Sequence, residues 1–122
     1  MNFVNNMVTI FGGGYAMYGT VANLQTMTVC NYNNYYSSGA NLAYAGAAVT
    51  TLAAWQLATG LDTNSISANP GYLAPNNPTP GSASVNNMGT PATLALVPND
   101  INGVVRNPFT PDIGAIEFDP IA

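Results

Sequence analysis

The sequence predicts an all-β fold, a short β-helix of a few coils with one helix and a C-terminal cap. Three observations carry that expectation. Gly12-Gly-Gly-Tyr-Ala-Met-Tyr-Gly19 lies against Gly39-Ala-Asn-Leu-Ala-Tyr-Ala-Gly46 at an offset of 27, and Asn5-Asn6-Met7 lies against Asn33-Asn34-Tyr35 at an offset of 28. Repeats of this size, built of short apolar runs and Gly/Asn turns, are the pattern of stacked coils. Only 5% of the residues are charged, against about 25% in an average protein. With 17 Asn and 12 Thr, polarity comes from neutral groups, and stacked coils would set Asn over Asn and aromatic over aromatic. The third observation is that one stretch alone has helical spacing.

In chain order, Phe3 to Ile10 reads as a short strand interrupted by Asn5-Asn6. Gly12-Gly13-Gly14 then supplies a sharp turn, since glycine accepts positive φ without a side-chain clash. It lacks the Lys and spacing of a phosphate-cradling loop. Tyr15 to Tyr18 is a second strand. Within Val21 to Cys30, Met27 and Val29 alternate with Thr26 and Thr28, the period of a half-buried strand. Asn31 to Tyr36 mixes turn and strand residues, and Asn41 to Ala45 is a further strand. These make a first region, 1–49, of coils.

The second region, 50–122, reads as the cap. Its helix spans 51–59: Thr50 or Thr51 can cap it, Leu52, Trp55 and Ala58 or Thr59 share a face, and Gly60 stands where a helix ends. Leu61 to Pro70 is turn chemistry. Asp62 and Asn64 begin like a calcium loop, but the Glu such a loop requires is missing, so an Asx-turn is expected. The Pro/Asn-rich stretch 69–81 is an irregular loop. Val85 and Pro91 to Val97 are expected to add short strands. The closing motif, 100–118, holds the one basic side chain, Arg106, and three of the five acidic ones, Asp100, Asp112 and Glu117.

Composition excludes several roles. With one Arg, no Lys and no His, the chain cannot neutralise a run of phosphates, so nucleic acid is not a partner. Cys30 is the lone cysteine. It forms no intrachain disulfide, has no base beside it in sequence, and is expected as a small buried apolar residue. No run of eighteen apolar residues is present, so no membrane-spanning helix is expected. The first residues carry neither a basic nor an apolar leader segment; for a secreted protein, such a leader would be removed or lie upstream.

Trp55-Gln-Leu-Ala-Thr-Gly-Leu-Asp62, Asn64-Ser-Ile-Ser-Ala-Asn-Pro70 and the closing Asp-x-x-Gly-x-x-Arg with Pro-Asp-Ile-Gly-Ala-x-Glu resemble the C-terminal part of secreted bacterial right-handed parallel β-helix proteins, the repeat-containing, pectate-lyase-like surface proteins. The Asn/Gly-rich coils upstream resemble their last turns. The sequence departs from that pattern at Ile116, where the family commonly has Tyr, and at Ser82-Ala83-Ser84. The resemblance implies a right-handed stack of parallel strands, export, and a cell-surface or extracellular location. It implies no particular activity.

For the closing cluster, the residues favour a structural latch: Arg106 bridging one or two of Asp100, Asp112 and Glu117 and pinning the terminal segment to the last coil. Asp100 and Asn102 ahead of Gly103 are the alternative, as Ca²⁺ ligands, and no other cofactor is expected. Trp55 is expected to pack against the body of the protein, with carbohydrate stacking as its functional alternative. The expected function is a non-catalytic structural or adhesive segment of an extracellular surface protein. One alternative is the terminal part of a carbohydrate-active enzyme, a polysaccharide lyase or hydrolase, with its groove upstream. The other is a self-assembling fibre subunit. A stack this short needs more repeats to bury its core. The expected partner is therefore a set of preceding coils, or another copy, at the Met1–Gly19 edge.

Overall fold

Asn5 adopts a left-handed backbone conformation, φ 59°, and divides the first extended run into β1 (Asn2–Val4) and β2 (Met7–Ile10). Tyr32 does the same, φ 56°, between β4 (Val29–Asn31) and β5 (Asn34–Ser37). In the computed structural model, which describes residues 1–120, these two turns lie one over the other. β1 pairs with β4 and β2 with β5, both parallel, with Phe3 opposite Cys30 and Val8 opposite Tyr35. β3 (Met17–Gly19) pairs in parallel with β6 (Ala43–Ala45).

The repeat seen in the sequence becomes a strand register with two changed offsets: 26 rather than 27 at β3, where Met17 faces Ala43 and Gly19 faces Ala45, and 27 rather than 28 at Asn5–Met7, where Met7 faces Asn34 and Asn6 lies over Asn33. The Asn33 Oδ1 accepts from the Asn6 backbone N–H at 2.9 Å and from its Nδ2 at 3.2 Å. Gly39 marks the same repeat at its tightest point, because a Cβ there would run into the carbonyl oxygen of Gly12.

The parallel β-helix expected from the repeat is not what the chain builds. The strands are short and sit in sheets of two, two and three, and no closed solenoid forms among the described residues. The third strand of the largest sheet, β7 (Ala48–Val49), runs antiparallel to β6. The cause is local. Gly46 turns the chain back with φ 74°, and Thr51 then caps a helix instead of starting a new strand. Beyond Val49 the chain adds only isolated bridges, one of them parallel between Asn34 and Ile66. The prolines at 70, 75, 78 and 80 lack the N–H that a ladder needs. The result is a small mixed fold of short strands and helix.

Two further expectations change. Val21–Leu24 is a helical turn, α1, because the Thr20 hydroxyl accepts from the Asn23 N–H at 3.2 Å; only Val29–Asn31 of that stretch is strand. Val85 and Pro91–Val97 form no strand. They fall in 3-10 turns at Ala83–Val85 and Pro91–Thr93, capped by Ser82 and Thr90, with Pro91 fixing φ in the second. The helix expected over 51–59 is α2, Leu52–Thr59, with Thr51 accepting from the Ala54 N–H and Gly60 left-handed at φ 70°.

The main core brings Leu24, Met27, Cys30, Ala43, Ala45 and Trp55 together, with Phe3, Met17, Val49, Leu52 and Leu61 packed around it. It lies between the parallel strands and α2. Val85, Ile113 and Ile116 are buried as well.

Candidate functional site

The closing motif brings its charged residues together, with Arg106 paired to one of the three carboxylates. Asp100 folds its own loop. Its Oδ1 accepts from the Asn102 and Val104 N–H groups at 2.8 and 2.9 Å, and Oδ2 accepts from Glu117 N–H at 2.9 Å. Gly103, φ 81°, makes that tight turn. Asp112 accepts from Asn87 N–H at 2.5 Å and from Phe118 N–H at 2.6 Å. Glu117 accepts from Asn107 N–H at 2.9 Å and Asp112 N–H at 3.0 Å.

Arg106 forms one ion pair, to Glu117 at 3.3 Å. It does not bridge the Asp100 or Asp112 carboxylates. Its other contacts are carbonyls, Asp112 at 3.2 Å and Gly114 at 2.8 Å. The segment also docks elsewhere than expected. Gly114 N–H donates to the Asn5 carbonyl at 2.9 Å, and Thr90 N–H donates to the Asn5 side chain at 2.9 Å. The latch therefore closes on the first turn of the chain, not the last.

These surroundings move the two aspartates in opposite directions. Desolvation pushes the Asp100 carboxyl up, but the N–H groups of Glu117, Val104 and Asn102, together with the Arg106 charge, outweigh it, so its pKa falls below the ordinary 3.8. For Asp112 desolvation wins, aided by the negative charges of Glu117 and Asp119, against the Asn87 and Phe118 N–H groups; its pKa rises above 3.8.

The two secondary readings fit the geometry poorly. Both Asp100 oxygens already serve backbone N–H groups. That is the arrangement of an Asx-turn. Trp55 is 1% exposed, so its ring offers no face to a sugar.

The densest polar cluster is one the sequence did not single out. Asp62, expected in an Asx-turn, is fully buried at 0% exposure, with φ 62°. Its carboxylate receives five side chains: Trp55 Nε1 at 2.8 Å, Ser65 Oγ at 2.6 Å, Asn33 Nδ2 at 3.0 Å, the Tyr35 hydroxyl at 3.1 Å and the Cys30 thiol at 3.2 Å. Its backbone N–H donates to the Cys30 carbonyl at 2.9 Å, and its carbonyl accepts from Gln56 Nε2 at 2.7 Å. Burial is the main force pushing the Cys30 thiol up to about 12, with Asp62 adding to it against the Tyr35 hydrogen bond. Burial and the Asp62 carboxylate also push the Tyr35 hydroxyl well above its ordinary value. Cys30 is thus a neutral donor in a packed core, far from thiolate chemistry.

A cleft of about 610 Å³ lies between the first two strands and the closing segment, lined by Phe3, Met7, Tyr72, Val97, Ile113 and Arg106 among others. Its polar side chains are turned to internal partners. Asn5 Nδ2 donates to the Thr90 carbonyl and to Thr93 Oγ1, Asn6 Nδ2 to the Val4 carbonyl and to Asn33, and Arg106 to the latch.

No protein-family model, curated protein or solved structure matches this chain.

Proposed function

We propose that this chain is a non-catalytic structural or adhesive segment of an extracellular surface protein. One observation carries the reading: the carboxylates of Asp62, Asp100, Asp112 and Glu117 are each committed to hydrogen bonds that hold the fold. A general acid or base needs a carboxylate with an acceptor position turned toward substrate. The neutral Asn- and Thr-rich composition supports an extracellular setting, where polarity without charge suits a lattice of side-chain hydrogen bonds. The test is to incubate purified protein with a panel of plant and bacterial polysaccharides and follow new reducing ends and unsaturated products. Binding without turnover, or neither, is the expected result. Product formation abolished by Asp112→Asn or Glu117→Gln would overturn the reading in favour of a carbohydrate-active enzyme.

A further inference from the structure

Tyr18 is 69% exposed, although one face of its ring is covered. It stacks on Tyr44 with centroids 4.5 Å apart and planes 14° from parallel. Tyr15 meets Tyr18 at 5.8 Å and Tyr44 at 5.5 Å. The stack follows the strands, since Tyr18 on β3 is the register partner of Tyr44 on β6. β3 has one strand neighbour, so its second edge, and the second face of Tyr18 with it, carries no strand among the described residues. Natural edges are usually blunted by charge, proline or a covering segment. β3, Met-Tyr-Gly, has no charge and no proline.

The two ends of the strand stack differ. On the far side the second turn is covered. Asp62 N–H donates to the Cys30 carbonyl, Ile66 pairs with β5, and β7 lies against β6. On the near side the closing segment covers only the Asn5–Met7 corner: Gly114 N–H bonds the Asn5 carbonyl, and a Cβ at Gly114 would lie 3.2 Å from Met7. The β3 edge carries no further strand among the described residues. No charged side chain precedes Asp62 in the sequence. Two copies can therefore bring this end together without desolvating a charged side chain, which is the costly step in burying most protein surfaces.

We propose that two copies of this chain associate edge to edge through β3, with Tyr18 of one protomer against Tyr18 of its partner. A head-to-tail fibre needs a second, complementary face; the other free edge of this sheet, β7, is only two residues long and lies beside α2. The uncharged β3 edge pairs with its own copy about a two-fold axis, so the assembly closes as a dimer. This deepens the structural reading by naming its partner, and it rests on that reading.

Sedimentation equilibrium over a concentration series tests it. The weight-average mass is expected to rise to twice the protomer mass and stop. Tyr18→Lys places a charge on the exposed edge and is expected to hold the protein at protomer mass while still melting cooperatively. Tyr18→Asn removes the ring without adding charge, and is expected to weaken association about tenfold. Leu57→Lys, at a site 89% exposed on α2 and away from β3, is expected to dimerise like the parent. A protein at protomer mass throughout the series overturns the proposal. So does mass growing past two copies, equal association of the parent and both Tyr18 variants, or loss of association in Leu57→Lys. Polysaccharide cleavage is a separate result that would strike the structural reading while leaving the dimer standing.

Discussion

The indole N–H of Trp55 donates to the Asp62 carboxylate at 2.8 Å, and neither residue is more than 1% exposed. This pair joins α2 to the loop that follows it. Through Asp62 it also reaches Cys30 on β4, Asn33, Tyr35 on β5, and Ser65. A carboxylate removed from water is tolerable only when its lone pairs are filled, and here they are. Asp62 thereby ties the strands of the second turn to α2 from inside the core. The same economy runs through the chain, where carboxylates hold backbone and side chains in place.

Trp55→Phe keeps much of the ring but removes the donor. It is expected to cost about 1–3 kcal/mol, the sum of a lost buried hydrogen bond and a small cavity. Chemical denaturation followed by far-ultraviolet circular dichroism measures it. A midpoint equal to that of the parent would show that the indole N–H adds nothing.

Cys30 and Tyr35 set the alkaline limit. Both pKa values are raised in the folded state, so the stability they contribute is complete below their unfolded values of 9.0 and 10.0. That of Cys30 is lost as pH rises toward about 12. Loss of stability is expected to begin near pH 9 in the parent and nearer pH 10 in Cys30→Ala, where Tyr35 alone remains. Melting temperature against pH reads the onset, and the same onset in both proteins would rule Cys30 out as its source.

On the acid side the closing motif carries opposing contributions. The pKa of Asp100 is lowered, so its contribution is present above the ordinary 3.8 and is lost as pH falls through the folded value. Asp112 is raised; its contribution is present at low pH and is lost as pH rises through its folded value, above 3.8. Asp112→Asn is expected to remove the second trend and leave the first, so stability should fall more steeply on acidification than in the parent. A variant less sensitive to acid than the parent would contradict these directions.

Arg106 has a side chain only 9% exposed and holds Glu117 and two carbonyls. Arg106→Ala leaves those acceptors buried and is expected to cost about 2–4 kcal/mol. Arg106→Lys is expected to recover only part of it, since an ammonium lacks the planar fork that reaches three oxygens at once. An unchanged melting temperature in Arg106→Ala would mean that the latch carries no stability.

Gly89 reports on whether the closing segment truly rests on the first turn. A Cβ there would lie 2.7 Å from the Pro111 carbonyl oxygen and 2.9 Å from Asn5 Oδ1. Gly89→Ala is expected to cost about 1–3 kcal/mol through overpacking. It should also speed hydrogen exchange at Thr90 and Gly114, whose N–H groups bond Asn5. Exchange at those two amides unaffected by the substitution would contradict the docking.

Much of the first fifty residues was legible. The Gly12/Gly39 match, the Asn-Asn pairs and the tyrosines announced two turns in register, because stacking repeats side-chain chemistry at a fixed spacing. The step from two turns to a β-helix failed at Gly46 and Thr51, whose turn and cap end the strand route. α1 was hidden because its cap, Thr20, stands at the head of a stretch that alternates Thr with apolar residues. The closing cluster was legible as a latch from its concentration of charge, but its docking site on Asn5 is 109 residues from Gly114 and leaves no local signal. Asp62 was read as turn chemistry for a similar reason. Its partners Asn33 and Trp55 are 29 and 7 residues away, and only the folded chain assembles them.

Denaturation of Asp62→Ala, followed by the fluorescence of the one tryptophan, tests the role of Asp62 most directly. Removing the carboxylate takes the acceptor from five buried donors; Trp55 Nε1 and the Ser65 hydroxyl have no other, and each costs about 1–3 kcal/mol when left unpaired. The expected result is a chain with little or no folded population and an exposed Trp55 emission even without denaturant. A cooperative transition at the parent midpoint, with buried Trp55 emission before it, would contradict the claim that Asp62 organises this fold.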